Sequence, residues 1–319
     1  MYFHSPFAIA NESFHICFKN QAFLVLPGRR LKVAEVDSVK VIGIIGGMSW
    51  ESSAEYYRLI NQEVNRKLGG LHSAEILMFS VDFEQIEKLQ HSGKWEEATK
   101  IMVDAARRLD RGGADFLIIA TNTMHRMADE VQNSVRVPLL HIADATGDRI
   151  KKAGFKRVGL LGTIYTMEED FYKGRLIDRY GLEVSIPGNE DRKLVNDIIY
   201  NELCLGKINQ SSKQDVVRII DGLAAEGAEA VILGCTEIPL LIQQKDAKVP
   251  LFDTTLIHAE TAVARALEVD NAPVSNDIIG SGSHCSFSRH TSNRALSPSR
   301  FDRIYSNLDS FIRNSRSLP

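Results

Sequence analysis

The chain has 319 residues, of which 44% are hydrophobic and 25% are charged, as in a typical globular protein. Its net charge of -3 leaves no broad basic field, so nucleic acid is not an expected partner. No run of about 18 apolar residues occurs, so no membrane-spanning helix is predicted. Four cysteines without C-x-x-C spacing predict neither a zinc site nor a disulfide framework. These features indicate a protein of a reducing compartment, the cytoplasm.

The two ends of the chain differ in composition from the middle. Residues 1–39 are predicted to be an N-terminal extension, with a single acidic residue, Glu12, before Glu35. A transit-like peptide that directs import into an organelle is the alternative, although the segment lacks the usual richness in Ser and Arg. Residues 269–319 are rich in Ser and Arg, which predicts a poorly ordered tail with at most a short helix over residues 301–312.

Between residues 40 and 268, short apolar runs alternate with longer amphipathic stretches. The predicted strands cover residues 41–45, 75–81, 116–119, 139–142, 158–161, 230–233 and 251–252. The predicted helices between them include residues 53–67, 96–111, 169–180, 192–204 and 213–226. This alternation predicts an α/β fold in which mostly parallel sheets are flanked by helices.

The order of these parts recurs along the chain. Gly43 and Gly159 open the similar segments Gly-Ile-Ile-Gly and Gly-Leu-Leu-Gly and lie 116 residues apart. Gly-Ala-acid segments begin 114 residues apart, at residues 113 and 227, and Val-Pro-Leu segments begin 112 residues apart, at residues 137 and 249. We therefore predict two pseudo-symmetric halves, residues 40–150 and 151–268, with residues 250–268 free to pack back onto the first. Ligands of open α/β sheets bind beyond the carboxyl ends of the strands, so the active site is expected in the cleft between the halves.

The residues that follow the predicted strands are therefore the first candidates for function. After the first strand, Gly46-Gly47-Met48-Ser49 can form a tight turn ahead of a helix. Thr121 follows the third strand and Cys235 follows the strand equivalent to it, 114 residues later. A helix N-terminus lowers the pKa of a cysteine, so Cys235 is a candidate base, with an inert buried thiol as the alternative.

Three motifs resemble those of the aspartate/glutamate racemase family: G-G-M at Gly46–Met48, x-N-T-x-H at Thr121–His125, and G-C-T-E at Gly234–Glu237. The resemblance covers residues 40–268. It implies an amino-acid racemase that needs no pyridoxal phosphate, other cofactor or metal, and that forms a homodimer. It also implies a pair of catalytic residues, one from each half, on opposite faces of the substrate α-carbon.

This sequence departs from the family pattern at one member of that pair. Family members usually have cysteine where this chain has Thr121, and a hydroxyl is a far weaker acid than a thiol. The resemblance nevertheless assigns Thr121 and Cys235 as the catalytic residues, because a branch of the family has this Thr/Cys pair. His125, four residues after Thr121, is a candidate to assist it, with a packing role as the alternative.

A second departure concerns the substrate. Some aspartate racemases place an Arg after the second strand and a Lys in a later helix, whereas this chain has no Arg within residues 82–87 and has Cys204 in place of the Lys. Strict aspartate selectivity is therefore not expected, because paired carboxylates favour Arg. Lys173 and Arg175 are candidate substitutes, with surface solvation as the alternative for each. The full set of predicted substrate-binding residues is Met48, Ser49, Gln85, Asn122, Thr123, Met124, Thr166, Lys173 and Thr236.

The sequence thus predicts a cofactor-independent racemase that inverts the α-carbon of aspartate, glutamate or a broader set of amino acids. Two alternatives remain open. One is a decarboxylase or cis-trans isomerase of the same superfamily that uses Cys235 alone. The other is an amino-acid-binding protein that has lost catalysis.

Overall fold

The computed structural model describes residues 14–18, 21–26, 29–32 and 39–268. The predicted tail over residues 269–319, with its short helix, lies outside these residues. Within the region predicted as an N-terminal extension, β1 (Phe14–Phe18), β2 (Gln21–Leu26) and β3 (Arg29–Lys32) form an antiparallel sheet in that order. None of the helices in the described ranges has the length and apolar character needed to cross a bilayer.

The first half contains a parallel sheet of order β5-β4-β6. Its strands are β4 (Ile42–Gly46), β5 (Ile76–Ser80) and β6 (Phe116–Ile119). The helices of this part are α1 (Trp50–Leu68), α2 (Phe83–His91), α3 (Trp95–Arg111), α4 (Ala128–Asn133) and α5 (Ile142–Ala153), and a 3-10 helix covers Thr123–Met127.

The second half contains a parallel sheet of order β10-β9-β7-β8. Its strands are β7 (Arg157–Gly162), β8 (Glu183–Ser185), β9 (Ala230–Gly234) and β10 (Leu251–Asp253). Its helices are α6 (Ile164–Glu168), α7 (Lys173–Tyr180), α8 (Asn189–Asn201), α9 (Gln210–Ala225), α10 (Ile238–Leu241) and α11 (Thr254–Ala266), with 3-10 helices at Leu203–Leu205 and Gln244–Asp246. The predicted α/β class with two parallel sheets is therefore confirmed.

Alternating side chains of the central strands supply the cores on both faces of each sheet. Ile44 of β4 packs with α1 and α11, whereas Ile45 packs with α3 on the opposite face. In β7, Leu160 and Leu161 divide between two clusters in the same way. Each such buried aliphatic side chain contributes roughly 1.5–3 kcal/mol. Strands buried on both faces explain why the sequence shows continuous apolar runs there.

The last helix of each half packs against the other half. Ile142 and Ile150 of α5 lie in the core beside β7, and Ala262 and Val263 of α11 lie in the core beside β4. The boundary predicted at residue 150 therefore falls inside α5. This exchange ties the two sheets together through apolar contacts.

The internal repeat extends to individual hydrogen bonds. The Gln132 side chain accepts from the Leu139 N–H (2.7 Å) and donates to the Val137 carbonyl (3.1 Å). Gln244, 112 residues later, makes the same two contacts with Leu251 (2.9 Å) and Val249 (3.1 Å). The predicted strand over residues 139–142 is reduced to a single bridge between Leu117 and Leu139, because α5 begins at Ile142.

Candidate active site

A small cavity lies where the carboxyl ends of the two sheets face each other. Its volume is about 20 Å³, close to that of one water molecule. Its walls come from segments that follow β4, β6, β7 and β9, together with α2 and the region around the end of α8. The lining residues are Met48, Phe83, Gln90, Thr121, Asn122, Thr123, Thr163, Ile199, Tyr200, Cys204, Gly234, Cys235 and Glu237.

Cys235 follows β9 and is 7% exposed. Its thiol donates to Glu237 Oε2 over 3.0 Å, and the Thr236 hydroxyl donates to the same oxygen over 2.8 Å. Burial raises the pKa of the Cys235 thiol well above its usual value, and the charges of Glu237 and Cys204 raise it further. The expectation of a pKa lowered by a helix N-terminus is wrong, because the thiol is buried and a carboxylate stands beside the sulfur, whereas α10 has only four residues.

Glu237 also joins the two halves. Its Oε1 accepts from the Ser49 hydroxyl at 2.8 Å and from the Ser49 N–H at 3.4 Å. Ser49 caps α1 by accepting from the Ser52 N–H, so it belongs to the first half, whereas Glu237 follows β9 in the second. Hydrogen bonds to a buried carboxylate are stronger than neutral ones. The same carboxylate therefore contacts the candidate catalytic thiol and closes the cleft.

Thr121 occupies the equivalent position after β6, but its surroundings differ. Within residues 39–268, nothing is hydrogen-bonded to its hydroxyl. His125 does not approach this hydroxyl: its Nδ1–H donates to the Thr121 carbonyl (2.8 Å), and its Nε2 accepts from the Ile142 N–H (3.2 Å). Burial, aided by His141 and His258, holds the pKa of His125 well below its usual value. His125 therefore supports the backbone and is not placed to activate the hydroxyl.

A second contact between the halves mirrors the Ser49–Glu237 bridge. Thr123 lies 114 residues before Glu237, and Thr163 lies 114 residues after Ser49. The hydroxyls of Thr123 and Thr163 are 2.9 Å apart, and Thr163 caps α6 as Ser49 caps α1. The pseudo-twofold relation thus pairs two cleft-bridging contacts, of which only one contains a charged group.

Among the lining residues of the described chain, Asn122 has the one fully buried side-chain oxygen without a hydrogen-bond partner. Its side chain is 2% exposed, and its amide nitrogen donates to the Thr254 hydroxyl over 3.1 Å. Its Oδ1 is buried and has no partner in the described part of the chain. A buried acceptor without a donor is costly, so Asn122 Oδ1 marks a place for a hydrogen-bond donor from a ligand.

The structure brings together five of the predicted site residues: Met48, Thr121, Asn122, Thr123 and Cys235 line the cavity. Ser49, Thr166 and Thr236 lie behind it, where their hydroxyls bind Glu237, the Thr163 hydroxyl and Glu237, respectively. Met124 is fully buried in the core behind the wall.

Gln85 and Lys173 are not part of the cavity wall. Gln85 is exposed on α2, because the buried face of this helix carries Ile86 and Gln90 at a spacing of four residues. Lys173 is half-buried at the start of α7. Arg175 instead holds Asp144 through two contacts of 2.7 and 2.6 Å.

Gln90, Tyr200 and Cys204 line the cavity but were not predicted as site residues, although the sequence already showed Cys204 at the family's Lys position. The Tyr200 hydroxyl donates to Gln90 Oε1 over 3.2 Å, so α8 and α2 meet across the cleft. The position of Gln90 could have been found from the four-residue spacing after Ile86, had α2 been predicted. Glu237 could have been found from the G-C-T-E motif itself.

Comparison with known proteins gives the family of this chain. Residues 45–262 match the Asp/Glu/hydantoin racemase family. The chain belongs to this family. Racemases are isomerases, so the protein belongs to this class of enzyme. Among residues 39–268, no group of three or more His, Cys, Asp or Glu side chains is placed to hold a metal ion.

Individual relatives agree with this membership. A Yersinia pestis protein of solved structure, described as an Asp/Glu racemase, has 52% sequence identity to this chain. The match has a TM-score of 0.68 and covers 72% of this chain and 100% of that one. An aspartate racemase homologue from Pyrococcus horikoshii OT3 is 40% identical over 72% of this chain and 100% of its own, with a TM-score of 0.62. The broad-specificity amino-acid racemase RacX of Bacillus subtilis is 24% identical over 71% of this chain and 98% of its own.

Proposed function

We propose that this protein inverts the α-carbon of amino acids without a cofactor, by exchanging a proton on each face of the substrate between Cys235 and Thr121. The observation that carries the proposal is that these two equivalent residues, one after β6 and one after β9, line the same cavity. The family membership and the similarity to a broad-specificity racemase support it. The homodimer and the cytoplasmic location stay predictions.

Cys235 is the base of the proposed reaction, and Glu237 makes this possible. The thiol already donates to the carboxylate, so transfer of its proton to Glu237 Oε2 produces a thiolate next to the bound substrate. The thiolate then removes the α-proton and becomes a thiol again. A raised thiol pKa also makes the thiolate a stronger base, which suits removal of a proton from carbon.

Thr121 is the proton donor on the opposite face. A hydroxyl has a pKa near that of water, about 15.7, so it is a poor base at neutral pH. It can nevertheless protonate a carbanion, which is a much stronger base than an alkoxide. When the cleft opens, solvent returns a proton to Thr121 and takes up the proton held by Glu237, which restores the starting state.

The substrate ammonium is proposed to donate to Asn122 Oδ1, the unpartnered acceptor in the wall. A cavity of about 20 Å³ is too small for an amino acid, so binding requires the halves to separate. Separation breaks the Ser49–Glu237 and Thr123–Thr163 bridges, and closure over the substrate restores them. Closure then excludes water from Cys235 and Glu237, while Ser49 again donates to the Glu237 carboxylate.

Incubation of single enantiomers in deuterated buffer tests the proposal. We expect the wild-type protein to form the opposite enantiomer with deuterium at the α-carbon, measured by chiral chromatography and mass spectrometry. In Thr121→Ala, inversion should be lost while one recovered enantiomer still gains deuterium from Cys235.

The alternatives give different results. Absence of both inversion and exchange for every amino acid in the wild-type protein would remove the racemase proposal. Inversion at an unchanged rate in Thr121→Ala would remove Thr121 from the mechanism. Because the two enantiomers have equal free energy in solution, kcat/KM must be equal in both directions, so the isotope pattern is the informative measurement.

A further inference from the structure

We propose that this protein has a second ligand site: a cavity between α1, α10 and the start of α11 binds an organic ammonium ion with an aliphatic body, and the bound ion opposes opening of the cleft. The site lies outside the reaction centre, so its ligand is an effector and not the substrate. Binding at this site can be measured without turnover. The effect on the cleft rests on the proposed function.

The size and the lining of this cavity suit a small molecule. Its volume is about 390 Å³, within the range of ligand pockets, roughly 300–1,000 Å³. Unlike the cavity at Cys235, it has room for a ligand without any movement of the halves. Half of its lining residues are Leu, Ile or Pro, among them Leu59, Leu240, Leu251 and Leu256. Such a wall favours an aliphatic body.

Two oxygen acceptors in the same wall lack a donor. Asp253 Oδ1 caps α11 by accepting from the N–H groups of Thr255 (2.9 Å) and Leu256 (3.1 Å), whereas no group within residues 39–268 donates to its Oδ2. The Thr255 side chain is 1% exposed, and its hydroxyl oxygen has no partner in the described part of the chain. An ammonium group carries three N–H donors, so it can serve acceptors on neighbouring residues.

The charge of this wall favours a cation. Among its described residues, Arg58 is the one cation, and it already pairs with Glu55 and donates to Gln62 over 2.7 Å. Burial raises the pKa of Asp253, and the charges of Glu55 and Glu260 raise it further. The Asp253 carboxylate therefore lies in negative surroundings, where a charge-assisted hydrogen bond from a ligand is favourable.

The opposite edge of the cleft shows a cation at the equivalent position. There, Arg126 pairs with Glu169 across the two halves and lies 4.2 Å from the centre of the Trp95 ring. Glu55 lies 114 residues before Glu169, and Leu240 lies 114 residues after Arg126. The edge between α1 and α10 thus keeps the carboxylate but has leucine in place of the arginine. A cation on an aliphatic body fits the position of that missing side chain.

Binding in this cavity is coupled to the cleft by the position of its walls. Ser49 caps α1, and Glu237 directly precedes α10, so loss of the Ser49–Glu237 bridge on opening moves these two walls apart. A ligand that contacts both walls therefore binds the closed form more tightly and favours it. Because substrate must enter and product must leave through an opened cleft, a saturating ligand should slow inversion.

Calorimetric titration of the full-length protein with isoamylamine tests the site. Isoamyl alcohol is the matched control, because it has the same aliphatic body and a hydroxyl in place of the ammonium. We expect the amine to bind at least about 10-fold more tightly than the alcohol, since hydrogen bonds between charged groups are the stronger ones.

Two variants assign the binding to this cavity. Leu240→Arg copies the arginine of the opposite edge, and Asp253→Asn removes the charge while keeping a good N-cap residue. Each should weaken amine binding by at least about 10-fold, whereas Leu240→Met, the matched control, should retain it. Leu240 is 43% exposed, so its replacement should not disturb folding, and the melting temperature without ligand checks this.

Leucine distinguishes two sources of the same chemistry, an amine and an apolar amino acid. Leucine binding that is lost in Leu240→Arg would support the site and assign it to amino acids, because binding at the reaction centre is retained in that variant. If the wild-type protein binds the amine but shows no such component for leucine, the site is supported and assigned to amines.

The remaining outcomes would overturn the inference. These are equal binding of the amine and the alcohol, no binding of the amine at about 10 mM, or unchanged amine binding in both Leu240→Arg and Asp253→Asn. Inversion that is not slowed by saturating amine would overturn the coupling to the cleft. Absence of inversion without any ligand would instead remove the proposed function, while the calorimetric result for the site would stand.

Discussion

The two halves of this protein share a scaffold and differ in their chemistry. Gln132 and Gln244 make the same pair of hydrogen bonds to equivalent Val-Pro-Leu segments, and Asp115 and Glu229 both accept from backbone N–H groups at the start of a central strand. After β6 and β9, however, equivalent positions 114 residues apart carry different residues. Thr121 corresponds to Cys235, Thr123 to Glu237 and His125 to Pro239.

The difference shows which part of the repeat had to be retained. Repeated scaffold contacts keep the ends of β6 and β9 in equivalent positions, so one residue from each half reaches each side of the cavity. The chemistry at each position can then diverge, because the side chains there do not make the repeated scaffold contacts of Gln132 and Gln244. One side has kept a thiol with a carboxylate partner, and the other has a hydroxyl without one.

The largest effect is expected from removing the thiol. Cys235→Ser should lower inversion and deuterium exchange by about 100- to 10,000-fold, because a hydroxyl is a much weaker acid and base partner for carbon. The measurement is inversion by chiral chromatography, with the melting temperature as the control for folding. A variant that is folded and fully active would show that the two sides of the cavity are not chemically different.

The second comparison concerns stability towards acid. Two buried histidines of the first half have no histidine at the equivalent positions of the second half. His125 and His141 correspond to Pro239 and Asp253. Burial, with Arg175 next, lowers the pKa of His141 to about 2, and burial lowers the pKa of His258, which contacts Tyr56 Oη (2.9 Å), to about 4.

The unfolded chain therefore binds protons that the folded protein does not, over a range below the ordinary histidine pKa of 6.5. Stability is fully present above pH 6.5 and is lost as the pH falls towards 4, by about 3 kcal/mol for His258 alone. Urea unfolding between pH 7 and 4 measures this. His141→Asn, which retains a capping side chain, should flatten the dependence, and an unchanged slope would exclude His141 as a contributor.

The third prediction separates the two effects of Glu237 on the thiol. Glu237→Gln removes the proton acceptor, so inversion should fall by about 10- to 100-fold, in line with the loss of a hydrogen bond to a charged group. The same change removes a negative charge that raises the pKa of Cys235, so alkylation of the thiol should become faster at neutral pH.

Alkylation is followed by mass spectrometry in a Cys204→Ser background, because Cys204 lines the same cavity. Glu237→Asp is the matched variant, since it keeps the charge while shortening the side chain. If turnover and alkylation both decline in Glu237→Gln, the carboxylate does not act as proposed on Cys235.

The smallest effects are expected in the shared scaffold. Gln132→Ala removes two hydrogen bonds in a half-buried position and should cost about 1–2 kcal/mol of unfolding free energy. Gln244→Ala removes the equivalent pair where water can replace it, so its cost should be less than about 1 kcal/mol. Denaturant midpoints compare the two variants directly. A larger loss of unfolding free energy in Gln244→Ala than in Gln132→Ala would contradict this prediction, which rests on the greater exposure of Gln244.

The sequence by itself determined the α/β class, the internal repeat and the equivalence of Thr121 and Cys235. Each of these depends on local pattern: apolar runs form the strands, and strand ends in parallel sheets converge on one edge. The sequence alone therefore places the G-G-M, T-N-T-x-H and G-C-T-E segments at the cleft.

Only the tertiary structure decided the environment of those residues. The exchange of α5 and α11 between the halves, the bridge from Ser49 to Glu237 and the choice of Gln90 over Gln85 all depend on contacts between distant segments. The raised pKa of Cys235 has the same origin, because burial and the neighbouring carboxylate outweigh the short α10 helix. Local pattern places a thiol at the end of a strand, but its acidity is set by what the fold packs around it.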